Sequence, residues 1–122
     1  MKIVDANIIL RYLLNDTEDL SAKAADLLEN NEVMVPNEVI AEIVYVLEKV
    51  YKIKSEEISS SLMELFDYDN LQVNDHEILV EALTVYSKHK LDFVDTLLYA
   101  YYKVRKHEVY TFDKKLNKLL KS

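Results

Sequence analysis

Apolar residues recur along this chain at two spacings. Lys2-Ile3-Val4, Val33-Met34-Val35, Leu71-Gln72-Val73 and Val109-Tyr110-Thr111-Phe112 are short apolar runs bounded by polar residues, and they read as strands. Between them apolar residues return every three or four positions, as in a helix with one buried face. Asn7 to Leu14 places Ile8, Ile9, Tyr12 and Leu13 at that spacing. A second helix is expected after Asp16 as its cap, with Glu18 and Asp19 in its first turn, where acids suit the helix dipole. It carries Leu20, Ala24, Leu27 and Leu28 and ends at Asn30-Asn31, where asparagine can take a left-handed conformation. Asn37 opens a third helix, Glu38 to about Tyr51, with Ile40, Ile43, Val44, Leu47 and Val50 on its apolar positions. Further helices are predicted from Ser55 to about Phe66, from the cap Asp75 to about His89, from the cap Asp92 to about Lys106, and from Asp113 through Leu120.

Short strands alternating with helices predict an α/β fold with a parallel sheet covered on both faces. The chain has 122 residues, half of them hydrophobic, with no repeat, low-complexity tract or linker. One domain over residues 1–122 is expected. No apolar run is long enough for a membrane span, the N-terminus lacks the pattern of a signal peptide, and cysteine is absent. A cytoplasmic protein without membrane association is therefore expected.

Composition also excludes. The chain contains no glycine. Phosphate-cradling loops need glycine for tight turns and close backbone approach, so Walker-type and dinucleotide-binding loops are ruled out. The net charge of −7 is unlike that of a plain nucleic-acid binder. An acidic chain can still act on RNA when some of its carboxylates hold metal ions, because the cations invert the local field.

Asp5 and Asp113 each follow directly on a predicted strand, and ligands of open parallel sheets bind beyond the strands' carboxyl ends. Asp92 and Asp95 fall at the first turn of one predicted helix, and Glu42 near the start of another. These acids are placed to converge on one cleft if all those helices begin at the same sheet edge. Crowded carboxylates need a cation between them, and an all-oxygen donor set favours Mg²⁺ or Mn²⁺. Each residue has a plainer structural role as well. Asp5 and Asp113 suit helix N-caps, worth about 1 kcal/mol each. Asp92 and Asp95 suit a cap and a first-turn acid, and Glu42 lies on the stripe Glu38, Glu42, Tyr45, Lys49 that periodicity leaves in solvent. Spacing does not choose between Glu38 and Glu42.

Four blocks resemble one family in its order and spacing. MKIVDANIILRYLL resembles the opening of a PIN domain, VPNEVIAEIVYVLEK its second block, LDFVDTLLYAYY its third and VYTFDKKL its last. The resemblance implies a PIN-like α/β/α sandwich with a parallel sheet of four or five strands. It implies that Asp5, Glu42, Asp95 and Asp113, with Asp92 nearby, hold one or two Mg²⁺ or Mn²⁺ ions, and that Asn7 and Thr111 orient ligands or water around them. Chains of this length resemble the VapC-type toxins, metal-dependent endoribonucleases that cleave specific RNAs, often tRNAs. Such toxins are silenced by a small antitoxin protein and generally form homodimers. The chain departs from the family at Arg105-Lys106-His107-Glu108, where glycine is usual. His107 is the expected left-handed residue there.

Other residues are less specific. His76, His89 and His107 share no metal-ligand spacing, and Tyr99, Tyr101 and Tyr102 suit packing or a dimer face. Lys103, Arg105, Lys106, Lys114, Lys115, Lys118 and Lys121 crowd the C-terminal fifth. Of these, Lys114, Lys115 and Lys118 are candidate RNA contacts, with Arg11 and the Lys49–Lys54 segment as other possibilities. A phosphorylation-type receiver domain is rejected, because no mid-chain strand ends in an acceptor aspartate. An RNA-processing nuclease of the same fold, without an antitoxin, and a catalytically inactive binding module are the alternative functions. All four acid positions are filled, which favours an enzyme.

Overall fold

The computed structural model describes residues 1–122. Its elements follow in the order β1 (Lys2–Ile3), α1 (Ala6–Leu14), α2 (Glu18–Glu29), β2 (Val33–Met34), α3 (Asn37–Lys49), α4 (Ser55–Leu65), β3 (Leu71–Gln72), α5 (His76–Lys88), α6 (Phe93–Arg105) and α7 (Lys114–Lys121). The strands form one parallel sheet in the order β1-β2-β3, with Lys2 opposite Val33 and Val33 opposite Leu71. The fold is α/β, as the alternation of periods predicts.

The helix periodicity translates directly into burial. Ile40, Ile43, Val44 and Leu47 of α3 are buried, while Glu38, Glu42, Tyr45 and Lys49 stay exposed. Ala24 and Leu28 of α2 enter the core and Leu20 does not. One cluster of 24 buried apolar residues joins the sheet to α1, α3, α4, α5 and α6. A fully buried Ile or Leu side chain contributes on the order of 2 kcal/mol, so this cluster is the main source of stability. Polar groups inside it are satisfied locally: Ser59 donates to the Leu83 carbonyl at 2.8 Å, tying α4 to α5, and Thr96 donates to Phe93 at 2.6 Å.

Four local expectations are corrected. The sheet has three strands rather than four or five, because Val109–Phe112 does not pair with it. Thr111 spends its polar groups on the turn that follows, its hydroxyl accepting from the Asp113 N–H at 3.0 Å and its carbonyl from Asn117 at 2.8 Å. Tyr110 and Phe112 are left 85% and 104% exposed. Asp16 does not cap α2: Thr17 holds that position, and Asp16 instead takes the Arg11 guanidinium at 2.6 Å. Helix α2 ends without a left-handed residue, its cap Asn30 lying at φ −114°. Before Val109 the left-handed residue is Lys106, φ 62°, rather than His107; Asn15 and Lys52 are the others.

The connections decide which ends of the helices meet. Because the strands are parallel, α1, α3 and α5 all start at the edge where the strands end. The Asn74 side chain accepts the Asn37 N–H at 2.7 Å and ties two of these exits together. Helix α6 follows a helix, not a strand. It packs against α5 and runs back, so that Arg105 in its last turn forks onto Asp75 at the start of α5, both bonds at 2.9 Å. The first turn of α6 therefore lies at the far end of α5, next to the end of α3.

Candidate active site

Asp92, Asp95 and Asp113 come together at that far end. They line an open cleft of about 800 Å³, walled by the α3–α4 turn, the α5–α6 turn and the start of α7. Asp92 occupies the N-cap position of α6 without a side-chain cap bond, and Asp95 sits in the first turn. Burial first, then the charges of Asp113 and Asp92, hold the Asp95 carboxyl above the usual carboxylate range. Asp113 caps α7 by accepting the Leu116 N–H at 2.8 Å, and Leu116 is fully buried, so the carboxylate is anchored from below.

Sequence reasoning missed a fourth acid. Glu48, in the last turn of α3, lines the same cleft. Its carboxylate accepts from the buried Tyr86 hydroxyl and pairs with Lys49 at 2.8 Å. Lys49 and Tyr86 together hold the Glu48 carboxyl below its ordinary value. Burial, Glu48 and Asp92 push the Tyr86 hydroxyl upward, so it remains a donor. The signal available in the sequence was position: Glu48 follows the apolar stripe of α3 into its final turn, and Tyr86 occupies a core position of α5.

The other predicted residues stand elsewhere. Asp5 is exposed and caps α1, accepting the Ile8 N–H at 3.3 Å. It lies at the strand-exit edge, where α3 begins, whereas the cleft is at the end of α3. Thirteen residues of helix span about 20 Å. Glu42 is exposed partway along α3 and outside the cleft lining. Asn7 is exposed on α1 beside Asp5. Arg11 is engaged structurally, reaching Asp16, Thr17 and Tyr51, and its Nε is buried without a partner. Thr111 holds the backbone of Asp113 from two residues away. Lys114 and Lys115 line the cleft; Lys118 does not.

Lysines complete the lining, and among them only Lys90 was not a candidate from the sequence. Lys49, Lys52, Lys54 and Lys90 join Lys114 and Lys115, with His89 beside them. Only Lys49 among these makes an ion pair. A second recess, between α3 and the start of α6, shares Glu48, Lys49, Asp92 and Asp95 and adds Tyr45 and Val94, 62% and 53% exposed.

The donor set suits a hard divalent cation. All the acids offer oxygen, and the raised Asp95 carboxyl is one that a neighbouring cation would relieve. No three side chains close tightly enough to cage an ion by themselves.

No solved structure matches the chain. The chain is 31% identical over 101 residues to a VapC ribonuclease of Aquifex aeolicus (strain VF5), covering 80% of this chain and 75% of that relative. The PIN domain family model matches residues 2–121. With nearly its whole length matched, the chain belongs to the PIN-domain family.

Proposed function

We propose that this protein is a metal-dependent endoribonuclease acting as the toxin of a toxin–antitoxin pair. The observation that carries the chemistry is the meeting of Asp92, Asp95 and Asp113 in one lysine-lined cleft of a PIN-domain chain. Asp95 and Asp113, with Asp92 and Glu48 beside them, are the residues that would hold one or two Mg²⁺ or Mn²⁺ ions. The chemistry such ions supply when bound is polarisation of a phosphate and acidification of water.

The chain's own groups do the rest. The cleft lysines offset the charge of the approaching backbone, which the acids alone would repel. Thr111 and the α7 cap fix the direction of Asp113.

The fuller reading includes a structured RNA substrate such as tRNA, a small antitoxin protein that silences the enzyme, a homodimer and a cytoplasmic location. No helix is long and apolar enough to cross a membrane, which is compatible with that location. The similarity to a VapC ribonuclease supports the toxin assignment. Asp5 and Glu42 enter the acid set on the family pattern alone, with Asn7 beside Asp5.

The test is cleavage of RNA by purified protein with Mg²⁺, with Mn²⁺ and in excess EDTA, followed by sequencing of the cleaved ends. Asp95→Asn is expected to abolish cleavage while leaving the fold intact. Full activity in EDTA, or in Asp95→Asn, refutes the reading. Asp5→Asn in the same assay tells whether the strand-exit acid joins the chemistry. Expression with and without the neighbouring reading frame tests the antitoxin: growth arrest relieved by the neighbour is the expected result.

A further inference from the structure

A separate recess of about 250 Å³ shares no residue with the acid cleft. Its place follows from the parallel sheet. Helix α2 leads into β2 and α4 into β3, so both helices end at the edge where the strands begin. A helix C-terminus carries a partial negative charge, which a basic residue in the last turn offsets. Neither α2 nor α4 has one there. The recess is built from these two ends. Leu28 and Glu29 close α2, Leu65 closes α4, Tyr68 and Asn70 carry the chain to Leu71 in β3, and Tyr12 of α1 completes the lining.

The polar groups of the recess are matched to a cation. Asn70 donates its amide to the Leu28 carbonyl at 2.6 Å and to the Asn31 carbonyl at 2.9 Å, which leaves its side-chain oxygen. Tyr12 donates to Glu29 Oε2 at 3.1 Å. Burial first, then Glu29, hold the Tyr12 hydroxyl above its ordinary value, so it stays a donor to that carboxylate. Glu29 Oε1 has no partner in the chain, and no lysine or arginine lines the recess. Only the Tyr68 hydroxyl remains free to donate. An anion would meet a carboxylate and two helix C-termini. A neutral apolar molecule would strip water from Glu29 and give nothing back. A bare Mg²⁺ or Ca²⁺ needs about six oxygens or more, and one carboxylate beside buried leucines does not supply them. An alkylammonium ion suits all the groups at once: the head meets the carboxylate and a tyrosine face, and the methylenes meet leucine.

We propose that this recess binds a small aliphatic amine in its protonated form, with the ammonium group on Glu29 and the Tyr68 ring and the alkyl chain on Leu28, Leu65 and Leu71. Tyr68 is 57% exposed, so its ring is open to a ligand. The volume is that of about eight waters, room for a five-carbon amine and too little for a peptide segment. The bound ion offsets the charge of two helix ends and ties the end of α2 to the entry of β3, so it stabilises the fold by mass action. No residue of the acid cleft takes part, and the inference stands apart from the nuclease reading.

The test is titration of the ¹⁵N-labelled full chain with n-pentylammonium chloride at constant chloride, followed by backbone amide shifts. Saturable shifts are expected at Glu29, Asn70 and Leu71. Pentan-1-ol has the same shape without the charge and should bind at least roughly tenfold more weakly, since it forfeits a charged hydrogen bond. Pentanoate should give no saturable shift. Glu29→Gln keeps an oxygen for the Tyr12 hydroxyl, removes the charge, and should weaken pentylammonium roughly tenfold or more. Tyr68→Leu should weaken it roughly threefold, and Tyr68→Phe should stay within about twofold of wild type, because the attraction is to the ring face. Asp67→Asn makes the same charge change beside Tyr68 but outside the recess, and should leave affinity unchanged. A lysine capped at both backbone ends carries the same head on a peptide unit and should bind no more tightly than pentylammonium.

Equal affinity for pentan-1-ol, or unchanged affinity in Glu29→Gln, overturns the cation site. Equal loss in Asp67→Asn and Glu29→Gln reduces it to general acidity and overturns it too. Shifts confined to Asp92 and Asp95 place the ammonium in the other cleft and refute the assignment. Tighter binding of the capped lysine makes the occupant a peptide and overturns the free amine. Glu29, Asp67 and Tyr68 are exposed, and melting curves of each variant guard against loss of fold. No RNA or divalent ion enters the titration, so failure of the nuclease reading is seen separately.

Discussion

Asp113 holds two positions at once, and two substitutions separate them. Its carboxylate caps α7 through the Leu116 N–H at 2.8 Å and also lines the cleft beside Asp95. Losing an N-cap to alanine costs about 1 kcal/mol, within a range of about 0.5–2, whereas asparagine caps as well as aspartate. Helix α7 has only eight residues and only Leu116 fully buried, so little else fixes its first turn. For a chain of 122 residues a loss of about 1 kcal/mol lowers the melting temperature by roughly 3–6 °C. Asp113→Ala should show that drop, and Asp113→Asn should stay within about 1–2 °C of wild type. The asparagine variant also removes a like charge from Asp95, so the Asp95 carboxyl should fall back toward its ordinary range. Cleavage should be lost in both. Differential scanning fluorimetry without divalent ions reads the first effect, and the RNA cleavage assay the second. An Asp113→Asn protein that melts as low as Asp113→Ala would refute the cap argument. One that cleaves like wild type would remove Asp113 from the chemistry.

Two further outcomes follow from the hydrogen-bond pattern. Burial pushes the Asp75 carboxyl up, but the Arg105 fork and the Ile78 and Glu77 N–H groups outweigh it and hold the carboxyl below its usual value. A depressed folded pKa gives stability that is present above the unfolded value near 3.9 and lost as pH falls through the folded one. The melting difference between wild type and Arg105→Ala should therefore be constant from about pH 5 to 8 and shrink below about pH 4; a difference that grows in acid contradicts the pairing. Tyr86→Phe removes the hydroxyl bond to Glu48 but keeps the edge-to-face contact with Phe93, whose ring centre is 5.9 Å away. It should cost about 1 kcal/mol in denaturant titrations and raise the Glu48 carboxyl toward its ordinary value by NMR; an unchanged midpoint argues that the bond adds nothing net.

Much of the architecture was legible in the sequence because helix formation here is governed by a local period. Seven helices were predicted within a few residues of their observed ends, and four of the five apolar positions read for α3 are buried, while Val50, at the helix's end, is exposed. The caps Asp5, Asp75 and Asp113 were equally readable, since a cap bonds a backbone N–H three positions away. The strand at Val109–Phe112 was not, because pairing depends on a distant edge while Thr111 satisfies itself within its own turn. The acids show the same division. Composition, acid positions and block order pointed to carboxylate chemistry in a PIN domain. Which carboxylates meet was settled by a connection: α6 returns along α5, so Asp92, Asp95 and Asp113 gather at the end of α3 with Glu48, and Asp5 stays at the strand exits. The lysines of the cleft lie at the end of α3, on two turns and at the start of α7, far apart in sequence, and each alone is an ordinary exposed cation. Local spacing encodes what a segment becomes; only the packing of helix ends against one another decides which charges share a cleft.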